Sequence, residues 1–382
     1  MNTNTTESES LESWIWRAAC SIRGAKDAAK YKDYILPLIF TKRLCDVFDD
    51  EVNRIAARAG SRQKAFKLVK ADHNLVRFYL PLEPDDLEQP VWSVIHYLSD
   101  GIGESITTHM RNIAKKNPLL KGIIDRVDFN ATAHGQRDIE DDRLSRLVEA
   151  ISTKRLGLKD VEADIIGKSY EYLIRKFAEG GGQSAGEFYT PPAVGVIMSR
   201  VLAPESGMEI YDPCCGSGGL LVKCEIAMED ATKRKKRTTA PLKLYGQELT
   251  SETWAMANMN MIIHDMEGEI EIGDTFKKPK FRDKRGKLRT FDRVIANPMW
   301  NQKEYTEADY DNDEFDRFPA GAGFPGQSSA DWGWVQHMHA SLNATGRAAV
   351  VLDTGAASRG SGNTGINKEK TIRQWFVDHD LV

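Results

Sequence analysis

The second half of the chain alternates short strand-like runs with helical segments, and this order of elements constrains the fold more than any other feature. Alternating strands and helices form a parallel sheet that is covered by helices on both faces. The predicted strands are 208–211, 243–246, 270–272, 291–296 and 348–352, and the predicted helices are 217–231, 251–265 and 331–342. Such sheets bind ligands at the carboxyl ends of their strands, so the chemically important residues should follow the strands directly.

The first part of the chain has a helical pattern throughout. Between Leu11 and Gly60 the apolar residues recur at the spacing of two helices, and further amphipathic stretches cover 91–98 and 144–151. A length of 382 residues allows two or three domains. We therefore predict an α/β protein with an all-helical N-terminal domain over residues 1–158 and the alternating domain over 159–382.

Composition excludes several classes of protein. The net charge is −4, so bulk charge predicts no attraction to nucleic acid. The longest apolar run, Tyr34–Phe40, is far shorter than the roughly 20 residues that span a bilayer. The N-terminal ten residues do not resemble a signal peptide, which predicts a cytoplasmic location. The five cysteines form no CxxC pair, so neither a metal site nor a disulfide framework is expected.

The strongest local pattern is Asp212-Pro-Cys-Cys-Gly-Ser-Gly-Gly219, which lies between a predicted strand and a predicted helix. Gly216 and Gly218 allow the backbone to approach a ligand closely, and the free N–H groups of a helix N-terminus suit an anionic group. A dinucleotide site would need a third glycine where Leu221 stands. A turn without a ligand is the structural alternative.

Two further acidic residues follow the next two strands. Glu248 suits hydrogen bonding to the hydroxyls of a ribose, although its distance from Asp212 exceeds the roughly 20 residues of the compact fingerprint. Asp274 offers a carboxylate to an adenine amino group and Phe276 offers a ring to stack on it, but Asp274 fits a turn or a helix cap equally well. Acids at three consecutive strand ends favour a cofactor that carries a nucleoside.

The fourth strand ends in Asn297-Pro-Met-Trp300, which suits methyl transfer to an aromatic amine. Such an amine is a poor nucleophile, and hydrogen bonds from its N–H groups to the Asn297 side chain and the Pro298 carbonyl would bias it. Trp300 could then stack on a base turned out of a duplex. Taken alone, an Asn-Pro pair after a strand also fits a simple turn.

Together these motifs resemble those of the N6-adenine DNA methyltransferases, and specifically the modification subunit of type I restriction-modification systems. The resemblance rests on 212–219 and 297–300, on Gly186-Glu-Phe-Tyr-Thr-Pro191, and on the helical segments 31–48 and 164–178. It covers nearly the whole chain, and the motifs are specific in this order. It implies a Rossmann-like domain that depends on S-adenosylmethionine.

The resemblance also implies roles for individual residues. Phe188 and Thr190 would hold the methionine end of the cofactor, above a floor of Asp212, Gly216 and Gly218. The adenosyl end would be bound by Glu248, Asp274 and Phe276, and the target adenine by Asn297, Pro298 and Trp300. The implied partners are double-stranded DNA, a DNA-specificity subunit and a restriction subunit with nuclease and translocase activity, with two copies of this chain per complex and no membrane.

Two departures from the family pattern stand out. Met299 replaces the second proline of the usual Asn-Pro-Pro-aromatic tetrapeptide, which removes rigidity but no functional group, so activity should survive. Leu381-Val382 reads as the opening of a sixth strand in a sheet that usually has about seven. We therefore expect a shortened chain in which the strand 348–352 forms an open edge of the sheet.

Other motifs and rival functions are weaker. The segment 321–326 matches GxGxxG but contains Pro325 and opens no helix, so we interpret it as a loop. His337 and His339 lie two residues apart on a predicted helix, which places them on different faces and argues against a shared metal. The rival functions are a methyltransferase acting on glutamine or an RNA base, and a non-catalytic assembly scaffold.

Overall fold

The structure is a computed structural model that describes residues 10–22, 28–161, 163–180, 190–235, 240–311, 313–327, 329–361 and 367–382. Its contacts divide the chain into two compact units. One comprises Met1–Ser184 with Ile263–Asp265, and the other comprises Ala185–Ile262 with Met266–Val382. The first unit thus extends one helix beyond the predicted boundary at residue 158.

The first unit is built from helices. They are α1 (Leu11–Cys20), α2 (Ala28–Ala59), α3 (Arg62–Ala71), α4 (Ser93–His96), α5 (Ile102–Lys116), α6 (Asp141–Ser152) and α7 (Ala163–Gly180), with 3-10 turns at His73–Leu75 and Pro118–Leu120. The prediction of a helical N-terminal domain is confirmed, with one short addition: β1 (Thr132–Ala133) and β2 (Gln136–Arg137) pair as an antiparallel hairpin. Its turn contains His134 and Gly135, both with positive φ.

Capping and burial explain the predicted first helix. The Ser10 hydroxyl accepts a hydrogen bond from the Ser13 N–H at 3.2 Å, which satisfies one of the free donors at the start of α1. Trp14, Ile15 and Ala18 form its buried face, as their helical spacing predicted.

The second unit contains the parallel sheet and its helices. They are α8 (Pro192–Leu202), β3 (Glu209–Asp212), α9 (Gly219–Lys235), β4 (Lys243–Glu248), α10 (Ser251–Ile263), β5 (Gly268–Ile272), β6 (Phe291–Ala296), α11 (Glu307–Asp311), α12 (Asp331–Ala340), β7 (Leu342–Val350), α13 (Thr354–Ser358) and α14 (Lys368–Asp378). The strand order is β5-β4-β3-β6-β7, and every neighbouring pair is parallel. The chain reverses direction across the sheet between β3 and β6, which is where such sheets bind ligands.

The strands place alternate residues in two cores. Ile210, Leu244 and Ile295 pack with residues of α8, α9 and α10 on one face. Their chain neighbours Tyr211 and Tyr245 pack on the other face, with Val294, Phe281 and Met338 of α12. The predicted covering of both faces of the sheet is therefore confirmed.

The fifth predicted strand is observed in a longer form. The structure has β7 from Leu342, six residues before the predicted start, and pairs it with β6 alone, so it forms an edge of the five-stranded sheet as predicted. Leu381 and Val382 are exposed and lie outside the sheet, so the expected start of a sixth strand is not observed there. None of the described helices is both long and apolar enough to cross a membrane.

Candidate active site

The glycine-rich turn after β3 has the backbone conformation that its sequence predicted. Gly216 and Gly218 have φ of +54° and +76°, a region that residues with a β-carbon rarely adopt. A β-carbon at Gly218 would lie 2.8 Å from the Met261 side chain, whereas one at Gly216 would meet nothing within 4 Å. The turn therefore packs tightly on α10 at one glycine and borders open space at the other.

Glu248 connects this turn to the end of β4. Its Oε2 accepts a hydrogen bond from the Gly216 N–H at 3.0 Å, and its Oε1 accepts from the N–H groups of Leu249 and Thr250 at 2.9 and 3.1 Å. The Cys215 N–H donates to the Gln247 carbonyl at 3.0 Å in the same region. The two neighbouring strand ends are thus held together by hydrogen bonds to the backbone of the turn.

Asp212 is buried at the end of β3, with 1% of its surface exposed. Its Oδ1 accepts a hydrogen bond from the Cys214 N–H at 3.0 Å. Burial, together with the nearby charge of Glu248, raises the pKa of the Asp212 carboxyl to about 8. Two acidic groups therefore lie close together at the mouth of the glycine-rich turn.

Asn297 follows β6 and has one satisfied and one unsatisfied side-chain atom. Its Nδ2 donates to the Thr190 hydroxyl at 3.0 Å. Its Oδ1 is buried and has no hydrogen-bond partner among the described residues. An acceptor in that state costs free energy, and most buried polar atoms are paired, so Oδ1 is a candidate acceptor for a bound N–H donor.

One cleft joins the ends of β3 and β6. Its lining contains four of the predicted site residues, Thr190, Asp212, Gly216 and Asn297. The sequence analysis did not identify the other lining residues: Cys214, Cys215, Ser217, Gly219, Leu220 and Lys223. They lie within or just after the glycine-rich motif, so the motif itself was the signal that could have identified them.

Other predicted site residues lie outside the cleft lining. Phe188, with most of the segment 186–191, lies outside the described residues. The Asp274 Oδ1 accepts hydrogen bonds from the N–H groups of Phe276 and Lys277 at 2.9 and 3.1 Å, the turn role considered as its alternative. The Phe276 ring is 2% exposed and packs against Tyr305, Tyr310 and Trp334, so its faces are covered by protein.

Pro298 and Trp300, two further residues of the tetrapeptide, are held in place by the protein around them. Pro298 is buried, and the Trp300 indole N–H donates to the Val351 carbonyl at 3.1 Å. Gly218 and its neighbours also adjoin α10, whose Asn260 side chain donates to the Ser217 carbonyl at 3.0 Å. The rigid supports of the cleft are thus strand ends and one helix.

The segment 321–326 and His337 lie outside the cleft and have structural surroundings. The segment 321–326 is a loop, and the Gly323 carbonyl accepts a hydrogen bond from Gln336. His337 is a buried core residue beside Tyr211 and Arg317, and burial lowers its pKa. Within the described parts of the chain, no three His, Cys, Asp or Glu residues converge in a way that could hold a metal.

The fold and the cleft define a class: α/β proteins of methyltransferase fold with a polar site at the carboxyl edge of a parallel sheet. A family model described as "N-6 DNA Methylase" matches residues 161–382, and one described as "HsdM N-terminal domain" matches residues 11–151. The chain belongs to the N-6 DNA methylase family, which confirms the resemblance found in the sequence.

Individual relatives agree with this assignment. The methylase subunit of the type I restriction enzyme MjaIX from Methanocaldococcus jannaschii is 29% identical over 97% of this chain, which spans 65% of that relative. The HindI methylase subunit from Haemophilus influenzae is 30% identical over 74% of this chain, and the match covers 60% of that protein. The chain thus spans about two thirds or less of the length of these relatives.

A solved structure shows the same fold. The methyltransferase subunit of a type I restriction-modification system from Streptococcus thermophilus superposes with a TM-score of 0.76 at 23% identity. The match covers 96% of this chain and 78% of that one.

Proposed function

We propose that this chain transfers a methyl group from S-adenosylmethionine to the N6 amino group of an adenine turned out of double-stranded DNA. The observation that carries the proposal is the buried, unpartnered Oδ1 of Asn297 at the edge of the cleft. An acceptor without a partner at that place suits an incoming N–H donor, such as an exocyclic amine. The Oδ1 of Asn260 is also without a partner among the described residues, but Asn260 supports the turn from α10 and does not line the cleft, whereas Asn297 does.

The residues of the cleft fit S-adenosylmethionine. Space is open beside Gly216, and the charge of the Glu248 carboxylate raises the pKa of the nearby Asp212 carboxyl. A ligand that carries positive charge would relieve the repulsion between these two acids. When bound, the cofactor supplies a methyl group on a positively charged sulfur.

We assign the cofactor contacts as the family resemblance implies. Phe188 and Thr190 would hold the methionine end, and the floor would be formed by Asp212 with Gly216 and Gly218. Glu248 would bind the ribose hydroxyls. Asp274 would bind the adenine through the carboxylate oxygen that does not cap its own turn, and Phe276 would support that turn from the core.

The chain's own residues would orient and polarise the target amine. The hydrogen bond from Asn297 to Thr190 fixes the amide so that Oδ1 is presented as an acceptor. The Pro298 carbonyl would accept the second N–H, and the Trp300 ring would stack on the base. These contacts increase electron density at the amine nitrogen and hold it in place, which is how positioning lowers the barrier.

We propose that the chain works as the modification subunit of a type I restriction-modification complex. Its partners would be a DNA-specificity subunit and a restriction subunit, with two copies of the chain per complex. The support is that the relatives named above are methylase subunits of type I restriction enzymes. With a net charge of −4, the isolated chain should bind DNA weakly and without sequence preference.

Asn297→Ala tests the proposed function. We expect methyl incorporation into duplex DNA, measured with the specificity subunit present, to fall about 10²- to 10³-fold. Cofactor affinity measured by calorimetry should change less than about twofold, because Asn297 faces the target base. Asn343→Ala is the matched control. Asn343 lies at the amino end of β7, away from the carboxyl edge of the sheet, and its side chain donates a hydrogen bond to Asp292.

Three outcomes would contradict the proposal. A wild-type protein that binds no cofactor would favour an assembly scaffold. Methylation of a glutamine side chain or an RNA base, but not of DNA, would favour the rival methyltransferase. Parallel loss of activity and cofactor affinity in Asn297→Ala would indicate a collapsed strand end.

A further inference from the structure

A cluster of charged side chains holds the turn that follows Trp300. We call it the Arg359 cluster, and its members are Asn301, Asp331, Asp353, Arg359 and Glu369. These residues come from five places in the chain: the turn after the tetrapeptide, the start of α12, the loop after β7, the end of α13 and the start of α14. None of them belongs to the cleft lining or to the predicted site.

Asp331 lies at the centre of the cluster and is fully buried. Its Oδ1 accepts a hydrogen bond from the Asn301 backbone N–H at 2.8 Å, and its Oδ2 accepts one from Arg359. Asn301 has a φ of +56°, so the chain turns sharply directly after Trp300. The buried Asp331 carboxylate therefore holds both the backbone of the turn and the Arg359 guanidinium in place.

Arg359 uses its planar fork to join the remaining members. Its Nη1 donates to the Asn301 side-chain oxygen and to Asp353, both at 3.1 Å, and its Nε donates to Glu369 at 2.7 Å. A β-carbon at Gly355 would lie 2.6 Å from the Arg359 Nη1, so the glycine leaves room for this arrangement. Only an arginine offers donors in several fixed directions from one group.

The cluster holds Trp300 from both sides. Asn301 is the next residue along the chain, and Val351, whose carbonyl accepts the Trp300 indole N–H, lies two residues before Asp353. Movement of Arg359 would therefore release the backbone on one side of Trp300 and the loop that accepts its indole on the other.

We infer that Arg359 and Asp331 form a positioning pair that holds Trp300 in the orientation needed for methyl transfer. This inference rests on the proposed function, in which Trp300 stacks on the target base. The pair touches no residue assigned to the cofactor, so it sets the turnover rate and leaves cofactor binding unchanged. Its action passes through Asn301 and the Val351–Asp353 segment.

The test compares two variants of the cluster with two matched controls. Arg359→Met removes the guanidinium, and Asn301→Gly removes one of its partners while a glycine keeps the positive φ. Arg111→Met is the control for the first, because Arg111 pairs with Asp128 across 3.4 Å at an exposed position of the helical unit and contacts no member of the cluster. Asp380→Gly is the control for the second, because Asp380 has a φ of +53° and is exposed.

Two measurements are made on each variant. In DNA methylation with the specificity subunit, we expect kcat to fall about 10- to 100-fold in Arg359→Met and less in Asn301→Gly, while the cofactor Kd stays within about twofold. In a ¹H–¹⁵N spectrum of the chain, the Trp300 indole signal, assigned by its loss in Trp300→Phe, should shift or broaden in both variants. The two controls should keep the wild-type rate and signal.

The outcomes separate the two claims. An unchanged kcat together with an unchanged Trp300 signal in Arg359→Met or Asn301→Gly would overturn the positioning role. A cofactor Kd that weakens as much as kcat falls would also overturn it. If wild-type protein methylates no DNA, the proposed function fails, and a displaced Trp300 signal in the variants would still support the positioning pair.

Discussion

Two groups of acids in this molecule differ in the charge of the groups that lie beside them. In the helical unit, Asp46 on α2 pairs with the buried Lys42 and accepts the Leu156 N–H at 2.7 Å. At the edge of the sheet, Asp212 accepts a hydrogen bond from the Cys214 N–H and faces a second acid, Glu248. Burial raises the pKa of both Asp46 and Asp212, but Lys42 opposes the shift at Asp46 whereas Glu248 adds to it at Asp212.

The difference separates a structural cluster from a binding site. Asp49, one turn along α2 from Asp46, is also fully used: it pairs with Arg62 and accepts the Val91 N–H at 3.0 Å. Such groups hold the fold, and removing one partner leaves an uncompensated buried charge. The carboxyl edge of the sheet instead holds two acids near each other and an amide oxygen without a partner among the described residues. This arrangement is unfavourable until a ligand brings positive charge and a hydrogen-bond donor.

Asp46→Ala should give the largest change in stability. It leaves Lys42 buried without a counter-charge and the Leu156 N–H without an acceptor, so we expect the free energy of unfolding in urea to fall by about 3 to 5 kcal/mol. Glu83→Ala is the matched control, because its pair with Lys70 is exposed and should contribute less than about 1 kcal/mol. Equal effects of the two substitutions would remove the distinction between buried and exposed pairs.

Asp212→Asn should stabilise the ligand-free protein while weakening cofactor binding. The folded pKa of about 8 lies above the unfolded value near 3.9, so ionisation of Asp212 costs stability increasingly as pH rises from about 4 to about 8. Asparagine escapes this cost. We expect the variant's gain in free energy of unfolding to reach about 2 to 3 kcal/mol at pH 9, less than the full shift would give because the protein relaxes around a buried charge.

Unfolding curves at pH 5, 7 and 9 check this prediction. The gain should grow with pH in Asp212→Asn and stay constant in Asp316→Asn, whose side chain is exposed and forms an ion pair with Lys287 across 3.6 Å. If the gain in free energy of unfolding of Asp212→Asn does not depend on pH, ionisation of Asp212 is not its cause.

Glu248→Ala should weaken binding of S-adenosylmethionine by about 1 to 3 kcal/mol, because charge-assisted hydrogen bonds to the ribose would be lost. Glu248 also accepts three backbone N–H groups in the ligand-free structure, so part of this loss reflects a loosened turn. Glu248→Gln retains the shape and one acceptor, and its affinity should lie between those of the wild type and Glu248→Ala. Unchanged calorimetric affinity in Glu248→Ala, alongside the exposed control Glu269→Ala, would count against the site.

The parts of the fold and site that could be predicted are those with local signals. The strand 291–296 and the turn around Gly216 depend on apolar runs, glycines and strand ends, which the sequence displays directly. The edge position of β7 followed from the family pattern, although its first residues did not, because Leu342–Gly346 has weak strand character.

The parts that could not be predicted depend on contacts between distant residues. Thr190 and Asn297 are 107 positions apart, and nothing in either segment shows that the hydroxyl orients the amide. Arg359 lies 58 positions from Asn301, in a short segment without a recognisable motif. Long-range polar contacts of this kind are set by the tertiary fold, and a single sequence carries no signal for them.

Phe276 should show the smallest effect on binding and gives the sharpest test of its own assignment. The sequence predicted a ring stacked on the cofactor adenine, whereas the structure packs that ring between Tyr305 and Trp334 with centroid distances of 4.5 and 4.4 Å. Phe276→Leu should therefore lower the free energy of unfolding by about 1 to 2 kcal/mol and leave the cofactor Kd within about twofold. Phe281→Leu, in the aromatic core beside Tyr211, is the matched control and should behave alike. If cofactor affinity falls tenfold in Phe276→Leu but not in Phe281→Leu, the Phe276 ring contacts the adenine in the bound state. Its assignment to the core is then incorrect.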